Sequence, residues 1–236
     1  GQSNFSDLNR TILYTYMVTR TRWGLPNLVM GLTLFDKLWN EHEIQPLSER
    51  QSLIYIDRIF LHERTGSVAL TSLMEHCRPV RRREHAFCTM DHIVDTFPGR
   101  GDTTLMPNGR DFIVTTRGAA NDAGIQLFDI QDPAQGIVHV ISPELGIALP
   151  GLSLICPDSH TCTLGGLGAL AWGVGSTEAE HALATSTLRV NRPRNMRVSF
   201  VGQGSDGTTS KDLILFTIRT LSAVGGGGYA IEYVGE

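Results

Sequence analysis

Cysteine is scarce in this sequence, with four residues among 236: Cys77, Cys88, Cys156 and Cys162. No two form a CxxC pair, so the usual spacing of a zinc site or a redox dithiol is missing, and so few cysteines in so long a chain argue against a disulfide framework. A reducing compartment is the expectation. Also lacking are an uncharged apolar run long enough to span a bilayer and an apolar segment after a basic start, which excludes a helical membrane span and a secretory signal from the reading. Positive charge is in short supply too: 20 Lys and Arg against 24 Asp and Glu leave a net −4, with no electrostatic footprint for nucleic acid or an anionic membrane. What is present, 41% hydrophobic and 19% charged residues, is the composition of a folded globular chain with enough length for one large core or two smaller ones.

Residues 1–31 read apart from the rest. Between Gly1 and Val29, Arg10, Arg20 and Arg22 face a single acid, Asp7, amid Ser and Thr and without a sustained apolar period. That balance fits a transit segment, and equally an artefactual extension before a natural start at Met30. Poor order is expected there. The reading that follows starts at residue 32.

From Thr33 onward helices and strands alternate. Thr33 with Asp36 resembles a capping box, and Leu34, Phe35, Leu38 and Trp39 recur at helical spacing. The runs 52–57 (SLIYID), 86–90 (AFCTM), 125–130 (IQLFDI) and 152–156 (LSLIC) are short and apolar, as in the buried strands of a parallel sheet, and 196–201 (MRVSFV) is a further strand. Thr177 with Glu180 and Thr209 with Asp212 predict two more capped helices. Gly225–Gly228 reads as a turn before a strand at 229–234. This alternation predicts an α/β fold with helices on both faces of a sheet and chemistry beyond the carboxyl ends of its strands. The Pro-, Gly- and Asn-rich segment 97–109 is a long loop, a kind more often functional than idle.

Two predicted strands end in acid and histidine. Met90 runs into Asp91 and His92, and Cys156 runs through Pro157 into Asp158, Ser159 and His160. Two such ends in one sheet would bring carboxylates and imidazoles together, and a carboxylate beside an imidazole holds it protonated as a general acid. The alternative is that these residues only cap the helices that follow. His139 sits alone among aliphatics in GIVHVI, where a satisfied core histidine is the commoner outcome, and His62 with Glu63, after Asp57 and Arg58, is similarly placed. Arg78, Arg81, Arg82 and Arg83 could grip carboxylates or simply be solvated. Gly166, Gly168 and Ala171 match the dinucleotide fingerprint GxGxxA, but no strand ends directly before them and no acid lies in 186–190, so the match is weak.

Together the stretches LFDKLW (34–39), LIYIDRIFLHE (53–63), RPVRR (78–82), TMDHIVDT (89–96), QGIVHVISPELGIALPG (135–151) and CPDSHTCTLGGLGALAWGVGSTEAEHALATSTL (156–188) resemble the aconitase family of iron–sulfur hydro-lyases, and within it the 3-isopropylmalate dehydratase large subunits. The resemblance runs in order from Leu32 to Glu236. It implies a three-layer α/β/α aconitase-type domain, incomplete at its carboxyl end, and reversible dehydration of a hydroxy di- or tricarboxylate. It further implies a [4Fe–4S] cluster in the complete enzyme, a place in leucine biosynthesis, and a small, swivel-domain partner subunit that supplies a serine base. Carried over by residue, it assigns catalysis to Asp91, His92, His139, Asp158, Ser159 and His160 and substrate contact to Arg58 and His62. None of the four cysteines occupies a cluster-ligand position of the family, whose cysteines follow the position of Glu236, so no metal ligand is expected in this chain and the isolated chain is expected to be inactive. Cytoplasm is the expected location, or the mitochondrion if residues 1–30 are a transit segment. Other readings are a non-catalytic assembly module, a hydratase for citraconate- or homoaconitate-type acids, and a zinc hydrolase built on the same acids and histidines.

Overall fold

The structure, a computed structural model, describes residues 31–235; the expected amino-terminal extension lies, apart from its last residue, outside them. The described chain forms two compact units, one of residues 36–191 and one that takes in 31–35 and 192–235.

In chain order, the elements begin with α1 (Leu34–His42), β1 (Glu43–Pro46), β2 (Gln51–Tyr55), β3 (Arg58–His62), α2 (Gly66–Glu75) and β4 (Ala86–Thr89). They continue with α3 (Gly109–Ala123), β5 (Gln126–Phe128), α4 (Val138–Glu144), β6 (Ser153–Cys156), β7 (Leu170–Gly173), α5 (Ser176–Thr185) and β8 (Thr187–Asn191). β3 to β7 make a parallel sheet in the order β5-β4-β3-β6-β7. The chain winds from β3 outward through β4 to β5, then returns to the other side of β3 for β6 and β7. A topological switch therefore lies between β3 and β6, the place where an open α/β sheet leaves a crevice at its carboxyl edge.

Side-chain alternation separates the two faces. The Phe60 ring packs against Phe87 and Phe128, with centroids 5.8 and 6.1 Å away, and all three join Val138 and Ile141 of α4 and Leu154 and Cys156 of β6 in one core. Burial of each such ring contributes about 2–3 kcal/mol relative to exposure. On the opposite face a side chain on Gly66 of α2 would meet Leu61 and the Cys88 thiol. Helices thus cover both faces, as the alternation predicts.

One strand assignment is corrected. The run 52–57 does not enter the parallel sheet: β2 pairs antiparallel with β1 and β8. Its burial alternates along the strand, whereas β3 is buried from Ile59 to His62. The central parallel strand was hidden because Arg58 and His62 bracket its short apolar middle. A cap is also shifted: the Gly175 N–H donates to Glu178 Oε2 at 2.9 Å, so α5 begins two residues before the predicted Thr177–Glu180 box. Gly168 ends a 3-10 turn at φ +88° and Ala171 lies in β7, so the GxGxxA match opens no helix.

In the other unit, β9 (Arg194–Phe200), α6 (Ser210–Leu221) and β10 (Tyr229–Gly235) form a βαβ crossover whose strands pair in parallel from Tyr229↔Arg194 to Gly235↔Phe200. Here the predicted cap is found: Asp212 Oδ2 accepts from the Thr209 N–H at 2.8 Å and from its hydroxyl at 2.6 Å. Among the described residues no helix is long and apolar enough to cross a membrane.

Candidate active site

The carboxyl ends of β4 and β6 flank that of β3, so the segments following all three converge on the switch crevice. Asp91 and His92 come from beyond β4, Asp158, Ser159 and His160 from beyond β6, and His139 from the first turn of α4. The GIVHVI run is therefore a helix start rather than an indifferent stretch of core.

Asp158 is the hub. Its Oδ1 accepts from the His139 Nε2–H at 3.1 Å and from the His160 backbone N–H at 2.6 Å, while His92 Nε2 lies 2.8 Å from Oδ2. The other nitrogen of His92 is bonded to Asp91 Oδ1 at 2.5 Å, and Asp91 Oδ2 accepts from the Val138 N–H. Both ring nitrogens of His92 thus face carboxylate oxygens, an arrangement that suits only a doubly protonated ring. The Asp91 hydrogen bond accordingly raises the His92 pKa against the opposing effect of burial. Burial pushes the Asp158 carboxyl up, but the His160 N–H, the His139 hydrogen bond and the charges of His139 and His92 outweigh it and hold Asp158 well below the usual carboxylate range. His160 is largely exposed, near Ser159 Oγ at 3.2 Å and 3.4 Å from Asp158 Oδ1.

Of the residues named from the sequence, Asp91, His92, His139, Asp158, Ser159 and His160 are brought together. Arg58 is not: it opens β3 at the opposite edge of the sheet, about 13 Å along the strand from His62 by strand geometry, with its guanidinium on the Asp57 carbonyl. His62 adjoins the cluster but is only 1% exposed, with Nε2 3.0 Å from the Pro157 carbonyl oxygen. It reaches the site through its neighbours rather than through solvent.

Two positioning residues escape a reading by motif. Glu63, fully buried, accepts the consecutive backbone N–H groups of Asp91 (2.9 Å), His92 (2.7 Å) and Ile93 in its two carboxylate oxygens, which shapes the turn that presents His92. Its signal in the sequence is an acid directly after a strand, open to several explanations. Gly173, ending β7, lets the Asp158 backbone approach so closely that a Cβ would stand 2.4 Å from the Asp158 carbonyl oxygen. Loop 97–108 is tied to the site's rim by Arg117, which pairs bidentately with Asp102 and also binds Asp129.

The donor atoms limit which cofactors the site can hold. His62, Glu63, Asp91 and His92 have ligand atoms within 4.8 Å of one another. Yet both Glu63 oxygens hold backbone N–H groups, both Asp91 oxygens are engaged, and both His92 nitrogens face carboxylates; of these donors His62 Nδ1 alone has no partner among the described residues. His92 and His139 thus turn N–H groups toward Asp91 and Asp158, an arrangement opposed to the zinc-hydrolase reading. The thiols do not suit an iron–sulfur cluster either. Cys88 and Cys156 lie on opposite faces of the sheet, and burial raises both well above the ordinary thiol pKa, away from the thiolate a cluster needs. Cys77 and Cys162 are exposed.

The family model described as Aconitase family (aconitate hydratase) matches residues 36–236. The chain is also 48% identical over 206 residues to the "3-isopropylmalate dehydratase large subunit 1" of Bradyrhizobium diazoefficiens, a match covering 87% of this chain and 43% of that protein. The chain therefore spans less than half the length of the curated relative it matches.

Proposed function

The chain belongs to the aconitase family, and from that membership we propose that it carries the acid side of a hydro-lyase active site, interconverting 2- and 3-isopropylmalate by dehydration and rehydration. The observation that carries the reading is His92 held between Asp91 and Asp158 at the mouth of the switch crevice.

Elimination of water from a hydroxy acid breaks a C–H and a C–O bond and leaves a carbon–carbon double bond. The hydroxyl departs readily only as water, so it needs a proton as the C–O bond breaks. His92 supplies that proton, and the ionised Asp91 and Asp158 favour the charged ring, which takes a proton back from water after it has been used. His139 and His160, spaced around Asp158, orient the departing oxygen and return it on rehydration. Ser159 lines the same mouth. The proton on carbon goes to a base on a small partner subunit.

The family's [4Fe–4S] cluster would be held by cysteines other than the four here, and no step is assigned to it in this chain. Bound iron and sulfide in the purified 236-residue chain are expected to be far below stoichiometric; a stoichiometric cluster would contradict this. A cytoplasmic location belongs to the same reading.

The test pairs the chain, completed by its cluster-binding half, with the small subunit under anaerobic conditions and compares turnover of isopropylmalate, citraconate- and homoaconitate-type acids. Isopropylmalate is expected to be the best substrate, and His92→Gln to lower kcat by about 10²–10⁴-fold. Full loading without turnover of any acid would favour an assembly module instead.

A further inference from the structure

The resemblance gives His62 to the substrate, yet its ring is buried, its Nε2 is spent on the Pro157 carbonyl oxygen (3.0 Å), and its Nδ1 has no hydrogen-bond partner. Its face is occupied as well: the His62 and His92 rings stack with centroids 3.8 Å apart and planes 17° from parallel. We propose that His62 is a positioning residue, a neutral cross-brace whose face carries the His92 imidazolium and whose edge holds the Asp158-bearing segment, so that the acid and its hub are kept at one spacing across the switch crevice.

The protonation state follows from contacts. A carbonyl oxygen only accepts, so His62 Nε2 carries the hydrogen, and Thr65 Oγ1, 3.2 Å away, is a second acceptor for it. A proton on Nδ1 would be a buried donor with nothing to bond and would set a second positive charge against the stacked His92. The pair therefore holds one proton in excess of neutrality, and it sits on His92, where Asp91 and Asp158 face both nitrogens. Other charged or titratable groups near the stack are Glu63, whose oxygens are turned to backbone N–H groups, His139 from α4 and His160 beyond Asp158. Burial, the leading influence on His62, acts the same way by opposing its charged form.

The brace also spans the sheet where its winding reverses. His62 ends β3; His92 follows β4 on one side, and Pro157 and Asp158 follow β6 on the other. The face of one ring and its edge thus tie together two segments that the backbone ladder does not join directly.

Three variants separate face from edge. His62→Phe keeps a flat ring and loses the donor, His62→Gln keeps a donor and loses the ring, and His62→Ala loses both. The first readout needs no activity: imidazole ¹⁵N and ¹H titration of His92 in the 236-residue chain. Phe, which keeps the stacked face, is expected to lower the His92 midpoint less than Gln, and Ala, which loses face and edge, to lower it most; an unchanged midpoint in a folded Ala variant overturns the proposal. If Ala does not fold, Phe decides, and a His92 midpoint displaced as far in Phe as in Gln overturns it. The second readout rests on the hydro-lyase reading. In the completed enzyme, Gln and Ala are expected to lower kcat about tenfold or more with KM little changed, because misplacement of a catalytic group acts on the chemical step. A raised KM with unchanged kcat would return His62 to the substrate and overturn the brace. Absence of turnover in the wild-type assembly would sink the hydro-lyase reading alone, with the titration still deciding the stack.

Discussion

Strands β3 and β6 meet a histidine–aspartate pair at each end, and the two ends differ in what is left over. At the amino edge His42 is buried, donating Nδ1–H to the Leu38 carbonyl (2.7 Å) and Nε2–H to Asp57 Oδ2 (2.8 Å). The same Asp57 oxygen accepts from the Ser153 N–H at 2.8 Å and its hydroxyl at 3.0 Å, so α1, the β2–β3 junction and β6 are locked together. Both ring donors of His42 are consumed. At the carboxyl edge His92 is likewise placed between two acceptors, but its ring is partly open to solvent and shares Asp158 with two more histidines. A histidine–aspartate pair is thus a clamp where burial closes it and a candidate acid where the sheet leaves a crevice.

The largest effect should come from the support beneath the open end. Glu63→Ala orphans three N–H donors, that of Ile93 buried and those of Asp91 and His92 partly so, and chemical denaturation is expected to show a loss of about 3 kcal/mol; a loss under about 1 kcal/mol would show that the turn finds other acceptors.

A paired substitution tests the contrast itself. Asp57→Asn should cost about 2–3 kcal/mol of stability by leaving a buried imidazolium without its counterion, with kcat of the completed enzyme little changed. Asp158→Asn should also cost about 2–3 kcal/mol, since its carboxylate is at least as buried as that of Asp57, but it alone should lower kcat, by about 10²-fold or more. Equal effects on kcat from both variants would erase the distinction.

The two ends also predict a pH window. Its hydrogen bond to Asp57 raises the His42 pKa, so the stability it contributes is complete below about 6.5 and fades as pH rises through the raised value. Asp57 and Asp158 are depressed, since bonding to His42 and Ser153 in the one and to His160 and His139 in the other overcomes burial; their contribution is complete above about 3.9 and fades as pH falls. Denaturation midpoints should therefore peak between about pH 4 and 6.5, and His42→Leu should flatten the alkaline side of that peak and, by removing the main partner that depresses Asp57, weaken the Asp57 share of the acid side while leaving the Asp158 share.

The smallest effect is expected at the rim. Arg117→Ala releases Asp102, and with it loop 97–108, from α3, but the group is about one-third open to water, so about 1 kcal/mol or less should be lost. Proteolysis within the loop should nevertheless quicken.

How much of this was legible can be argued residue by residue. The strand-end doublets 91–92 and 158–160 were readable because two short apolar runs each end in acid and histidine, a repetition that helix capping alone explains less well than one such end. β3 was not, since the polar residues at its ends, Arg58 and His62, mask its periodicity. Glu63 and Gly173 carry no local pattern for their roles: one is a carboxylate whose donors lie 28 to 30 residues away, the other a missing Cβ that matters only because another strand's end presses on it.

Residue order alone settled the α/β class, the family and the chemical character of the Asp91–His92 and Asp158–His160 segments, because apolar periodicity and side-chain type are properties of neighbours along the chain. Which histidine is closed in by burial and which stands between two carboxylates at the crevice was decided only when five parallel strands set segments from distant parts of the chain edge to edge. Protonation and burial depend on who stands opposite, and that is a property of the packed sheet.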